Sequence, residues 1–363
     1  MTIGERISVE RGRAGLTQAQ LASAVGLDRS ALAKIETDAR RVTALELVAI
    51  ARELGQRMDW FVAPEPEAVI AHRQRNELGS LAIDRALERV ARDVGVVQAM
   101  DPGLARDVPR RTPPASVQQA EEMAVETRRL LGLSSDAPVY NLSDAVAPLG
   151  LLAFSLPLGD GADAGYVALE HGGVAVINGG LRTGRRRLAL AHELGHHLTS
   201  DDYVTDWRIA LDQEASRESR LDRFGRALLL PKADLTGRWP SWTERTDEDL
   251  RDAAVRAGSH YRVDMATLAD RLRELGLASP TEVAFVRSVS TRKADIVEKN
   301  LHVASELDPI SLPRAYERAV LGLYRGERIS ESRALDLLQG AYMSEELPVL
   351  RPTHEHELWS FTT

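Results

Sequence analysis

Apolar residues recur at intervals of three and four through most of the 363-residue chain, the period of helices with one buried face. Near the N-terminus Leu21, Val25, Leu32 and Ile35 fall inward, and Leu47, Ile50, Ala51 and Leu54 form a further stripe. "SLAIDRALERVARDVGVV" reads as one amphipathic helix, and "VQQAEEMAVETRRLLGL" and "NLSDAVAPLG" as two more. The period then changes. "LLAFSLPL", "AGYVALEH" and "GGVAVING" are short apolar or alternating runs divided by glycines, and they predict a small antiparallel sheet. A helix from about Thr183 to Thr199 follows, and the remainder reads as helical. It includes a helix–glycine turn–helix in "EDLRDAAVRAGSHYRVDMATLADRLRELGL", a helix started by Pro313, and one capped by Ser330 and stopped by Gly340. The last stretch, "RPTHEHELWSFTT", is a polar tail in which His354 and His356 alternate without further support. The fold class expected is mainly α with a small antiparallel β-sheet (α+β).

Proline-marked breaks at "APEPE" (63–67) and "VPRRTPP" (108–114) look like boundaries, because proline removes a donor and disfavours helix before it. Single cores stop growing near ~250 residues, so several segments are expected. They are a helical head at 1–62, a connector with an amphipathic helix at 63–115, a core at 116–279, and a helical region of open role at 280–363. The net charge of −8 argues against a chain that coats nucleic acid but leaves room for a small DNA-reading module. The absence of cysteine excludes disulfides and thiolate-bound zinc, so any metal must be held by His, Asp or Glu. With no apolar leader and no apolar run near the ~18 residues of a membrane span, a cytoplasmic protein with no membrane partner is expected.

"LALAHELGHHLTS" (188–200) concentrates the candidate chemistry. His192 and His196 are four apart and share a helix face, a spacing at which two imidazoles bind one tetrahedral zinc while Glu193 projects beside it as a base. The plain alternative is a histidine-bearing amphipathic helix, in which two buried histidines would each need a partner. A catalytic site needs a third ligand and an open position. "DQEASRESRLDRFGRALLLP" offers Glu214, Glu218 and Asp222 on one helical face. In the pair Glu218 and Asp222, the glutamate can bind metal while the aspartate one turn on accepts a hydrogen bond from a ligand histidine. Thr199 and Asp202 close the route in which a third histidine follows the first two on the same segment.

The run "RRRLALAHELGHHL", followed by a Glu-x-x-x-Asp-x-Phe helix ending in "LLLP", resembles the ImmA/IrrE family of zinc metallopeptidases over roughly residues 116–277. The resemblance implies His192, His196 and Glu218 as zinc ligands and Glu193 as general base, with Asp222 standing where the family usually has asparagine. His197 faces away from the pair, as a surface or packing residue. Tyr166, His260 and Tyr261 are candidates for oxyanion stabilisation, with no spacing argument to choose among them.

"LTQAQLASAVGLDRSALAKIETDARRV" (16–42) places Thr17 as a helix cap, Gly26 in a tight turn and Asp28 as the next cap. It resembles the XRE-type helix-turn-helix over residues 4–62, departing at Asp38, where glycine is favoured, and at Val42, where proline is. The resemblance implies a recognition helix from Asp28 to Thr37, with Arg29, Ser30, Ala33 and Lys34 toward the major groove and Gln18, Arg40 and Arg41 near phosphates. Residues 1–63 carry nine basic against eight acidic residues, a net of +1, so a protein-contact module is the competing reading. So weak a charge would leave a single head a poor DNA binder, which makes a homodimer on a two-fold operator the expected form.

Together these readings imply a DNA-binding regulator with a zinc-dependent endopeptidase, acting on a specific repressor-like or antitoxin-like protein in a stress or mobile-element response. The alternative is a member of a toxin–antitoxin pair, or a regulatory scaffold, whose zinc-peptidase fold binds a partner without hydrolysis.

Overall fold

The structure, a computed structural model, describes residues 2–62, 70–73, 77–107, 110–134, 136–159, 163–199, 210–243, 250–301 and 305–350. The first proline-marked break lies outside these residues, save for part of its flanks, as do Val108 and Pro109 of the second and the tail with His354 and His356. The chain divides into two compact units, Met1–Glu67 and Ala68–Thr363.

In the first unit, α1 (Ile3–Arg13), α2 (Gln18–Ala24), α3 (Arg29–Glu36), α4 (Ala44–Glu53) and α5 (Met58–Val62) enclose a core that includes Leu21, Leu32, Ile35, Leu47 and Ile50. Thr17 and Thr43 start α2 and α4 with reciprocal capping boxes to Gln20 and Glu46. Asp28 stands at the cap position of α3 but its side chain makes no capping hydrogen bond, contrary to the role expected of it; its carboxylate is exposed to water instead. Asp38 follows α3 in the left-handed region, at φ 55°. That conformation explains why a glycine is favoured here, and aspartate is among the residues that tolerate it.

The second unit is a sheet between two helical layers. Its elements are β1 (Ile70–Arg73), α6 (Glu77–Met100), α7 (Val117–Leu130), α8 (Leu142–Val146), β2 (Leu151–Leu156), β3 (Ala164–Ala168), β4 (Gly173–Asn178), α9 (Thr183–Thr199) and α10 (Ala210–Leu229). They are followed by α11 (Lys232–Thr243), α12 (Leu250–Tyr261), α13 (Met265–Leu275), α14 (Pro280–Ser288), α15 (Lys293–Glu298), α16 (Arg314–Arg325) and α17 (Glu331–Leu337). The class is the mainly α one expected, but the sheet is mixed and not purely antiparallel. Its strand order is β1-β3-β4-β2, with β2 parallel to β4 (Leu151 opposite Gly173) and the other two pairs antiparallel. After β2 the chain passes beyond the place of β4 to form β3, so the β3–β4 hairpin returns β4 alongside β2 in the same direction.

Alternate residues of the strands face two cores. Leu151, Ala153, Tyr166, Ala175 and Ile177 join residues of α7, α9, α10, α12 and α13. Leu152, Phe154, Val167, Val174 and Val176 join residues of α6, α16 and α17. The turn between α12 and α13 is made at Arg262, with φ 56°, and not at a glycine; Gly258 lies within α12.

Candidate metal centre

From Arg186 to Thr199 every residue of α9 is buried, so its polar side chains need partners inside the protein. The first half of the helix uses ion pairs. Arg187 pairs with Glu306, Arg186 with Asp308 at 2.6 Å, and Arg185 Nε with Asp163 at 2.6 Å. The second half carries His192, Glu193, His196 and His197.

Helix α10 packs against this half. A Cβ at Gly195 would stand 3.0 Å from Leu221 Cδ2 and 3.1 Å from Phe224 Cδ1, so glycine lets the two helices approach. Helix α10 is held from behind. Glu121 of α7 accepts from Arg223 Nε at 2.7 Å and from the buried Arg271 of α13 at 2.8 Å. Arg128 donates to the Leu228 carbonyl at 2.7 Å. Sequence reasoning did not single out these clamping residues, and charged residues scattered on amphipathic helices give no signal that they converge.

The clamp aims Glu218 and Asp222 at α9. His192 Nδ1 is 2.9 Å from Asp222 Oδ1, so it donates there and turns the Nε2 lone pair the other way. That nitrogen lies 2.9 Å from Glu218 Oε2 and 3.2 Å from His196 Nε2, and His196 Nε2 is 3.3 Å from Glu218 Oε1. Three lone-pair donors therefore converge on one point, an unfavourable arrangement unless a cation or proton sits among them. Tetrahedral ligands on bonds of ~2.0–2.1 Å stand roughly 3.3 Å apart, so the three donors fit a metal of that size. The side chain of Glu214 lies outside the described residues.

The electrostatics agree with the geometry. Burial opposes a charge on His192, but hydrogen bonds to Asp222 and Glu218 outweigh it and hold its pKa at about 9. Burial raises the Glu218 carboxyl, and the contacts with His192 and His196 more than reverse this, leaving it well below the usual carboxylate range. Burial lowers His196, which keeps its lone pair available. The cluster is set for positive charge. Glu193, fully buried on the same helix, adds a further negative charge beside His192.

His197 is a packing residue and not a surface one: its Nε2 donates to the Leu149 carbonyl at 2.7 Å, and its Nδ1 meets Tyr166 Oη at 3.2 Å. Tyr261 donates to Asp234 at 2.8 Å, and His260 lies 3.7 Å from the same carboxylate. Each tyrosine proposed for oxyanion stabilisation is thus committed to a neighbour.

In the first unit Arg29, Ser30, Lys34 and Arg41 are exposed, and Ala33 is half-buried. Gln18 donates to Glu36 at 2.8 Å and Arg40 to Glu46 at 2.7 Å, so both are tied into the fold.

A helix-turn-helix unit is thus followed by a metallopeptidase-like unit built on a His-Glu-x-x-His helix. Residues 9–61 match the helix-turn-helix family, and residues 147–273 match the IrrE N-terminal-like domain of the M78 peptidases. It is also 33% identical over 94 residues to an immunity repressor protein of Bacillus phage phi105, a match spanning 26% of this chain and 65% of that one. No solved structure matches the chain. Among the described residues no helix is long and apolar enough to cross a membrane.

Proposed function

We propose that the protein is a DNA-binding regulator whose second unit is a zinc-dependent endopeptidase acting on one specific protein substrate, a repressor-like or antitoxin-like partner. The observation that carries the reading is the convergence of His192, His196 and Glu218, with Asp222 orienting His192 and Glu193 buried alongside. A zinc ion held by the three ligands would supply Lewis acidity toward the scissile carbonyl. Glu193 accepts the proton of the attacking water and returns it to the leaving amine. Asp222 keeps the proton of His192 on Nδ1, so that Nε2 remains a donor of its lone pair. The helix-turn-helix unit and the likeness to a phage immunity repressor support operator binding, through Arg29, Ser30, Ala33 and Lys34 toward the bases and Gln18, Arg40 and Arg41 near phosphates, by a homodimer.

Glu193→Gln tests the enzyme. The substitution keeps the shape of the side chain and both histidines, and removes the proton acceptor. The variant should bind zinc and DNA like the parent and lose ~10²–10⁴-fold in cleavage rate against the products of neighbouring genes. A Glu193→Gln protein with full biological effect would replace the enzyme by a partner-binding scaffold.

A further inference from the structure

A groove of about 730 Å³ opens on the second unit between the Pro102–Leu104 turn, the turn at residues 147–150, the start of β2 and the first turns of α16. Its size falls within the ~300–1,000 Å³ of small-ligand sites. Leu104, Pro148, Leu152 and Ala315 give it apolar walls. Three exposed arginines, Arg106, Arg314 and Arg318, line the same space. Arg314 and Arg318 are four apart on α16 and share a helix face, where like charges repel.

Two carboxylates, Asp101 and Asp144, share the groove with the three arginines and leave its lining at a net charge of +1. Asp101 accepts from the backbone of Gly103 at 3.1 Å. Asp144 accepts from Asn141 Nδ2 at 2.7 Å and reaches Arg314 Nε at 3.5 Å. Arg106 and Arg318 have no hydrogen bond or ion pair among the described residues. Two uncommitted guanidinium groups and a third loosely held one around an apolar cleft form a receptor for an oxyanion on an aliphatic body, because arginine's planar fork matches carboxylate and phosphate oxygens. Among the described residues no aromatic side chain lines the groove, so a nucleobase would find no ring there to stack on.

We infer that this groove is a binding site for a small phosphorylated or carboxylated molecule, its oxyanion held by Arg106, Arg314 and Arg318. The site is separate from the metal ligands and does not depend on hydrolysis.

Ligand-observed NMR on the full-length protein at low salt tests it, with glycerol 3-phosphate and glutarate as probes. At least one should bind saturably with Kd on the order of 1 mM or tighter, and weaken as salt is raised. Saturation by glycerol 3-phosphate alone assigns a phosphate site, and by glutarate alone a carboxylate site. The double variant Arg314→Ala/Arg318→Ala should lose about tenfold or more in affinity, as should Arg106→Ala on its own, with Tm unchanged. Arg287→Ala, an exposed arginine paired with Asp270 outside the groove, should bind like the parent. Absence of saturation by either probe up to about 10 mM, or equal affinity in the double variant, would overturn the assignment.

Discussion

His192 makes contact with three of the other four residues that define the centre. Through Nδ1 it meets Asp222, and through Nε2 both Glu218 and His196. Removing Asp222 releases the ring from its orientation without touching the ligand set, so Asp222→Ala should weaken zinc binding ~10–100-fold in competition titrations. Asp222→Asn keeps an acceptor oxygen toward Nδ1 and should lose less. Equal affinity in Asp222→Ala and the parent would remove Asp222 from the centre. The proton on His192 sets the pH dependence. In the metal-free protein its pKa stands at about 9, so at neutral pH zinc must displace a proton. Apparent affinity should therefore climb as pH is raised from about 6.5 to about 8.5, and an affinity that does not change with pH would contradict the assignment. The same shift affects the metal-free fold: its contribution is fully present below the unfolded value of 6.5 and lost as pH rises through about 9. His196, shifted downward by burial, acts in the opposite sense.

Helices α9 and α10 act as one device, and the glycines between them set how closely they lie. Gly195 faces Leu221 and Phe224, both fully buried, at distances where a Cβ would force a displacement of a few tenths of an ångström. At Gly225 a Cβ would meet Leu188 and Ala191 at 3.4 and 3.5 Å, ordinary contact. Gly195→Ala should therefore cost ~1–3 kcal/mol by overpacking and push Glu218 away from the histidines, weakening zinc binding. Gly225→Ala should be neutral or stabilising, since alanine improves helix propensity by up to ~1 kcal/mol. Melting and zinc titration of the two variants check this, and the opposite order would mean that the approach at Gly195 is not what aims Glu218. At this scale much was legible in the sequence. The helix Thr183–Thr199 and the three runs at 151–156, 164–168 and 173–178 follow from hydrophobic period, and the four-residue spacing of His192 and His196 is a local property of a helix. The parallel pairing of β2 with β4 was not legible, because it depends on which strand the chain passes over and not on any residue within a strand. Nor were the hydrogen bonds of Gln18 to Glu36 and of Arg40 to Glu46, since neither pair has a spacing that marks it as a pair.

Across the whole molecule the chain consists of two compact units with separate cores, Met1–Glu67 and Ala68–Thr363. The second unit extends well beyond the segment whose sequence advertises chemistry. Helix α6, in the stretch expected as a connector, and α16 and α17, in the region left without a role, cover one face of the sheet. Glu306 and Asp308 hold the first half of the helix that carries His192 and His196. These contacts join residues more than a hundred positions apart, and no local pattern carries them. The division into units has a thermodynamic consequence. A metal that binds only the folded second unit stabilises that unit alone by mass action. In scanning calorimetry of the full chain, chelation of zinc should lower the transition of the larger unit and leave that of the helix-turn-helix unit in place. Operator binding by the chelated protein should persist, because Arg29 and Lys34 belong to the unit that holds no metal ligand. Arg29→Ala and Lys34→Ala should in turn weaken DNA binding, with zinc content and both transitions unchanged. A substitution that removes a phosphate contact should also reduce the salt dependence of log affinity by about one unit of slope. If chelation abolished operator binding together with the second transition, the two units would be one thermodynamic body, and the metal would have to be counted as a structural requirement for reading DNA.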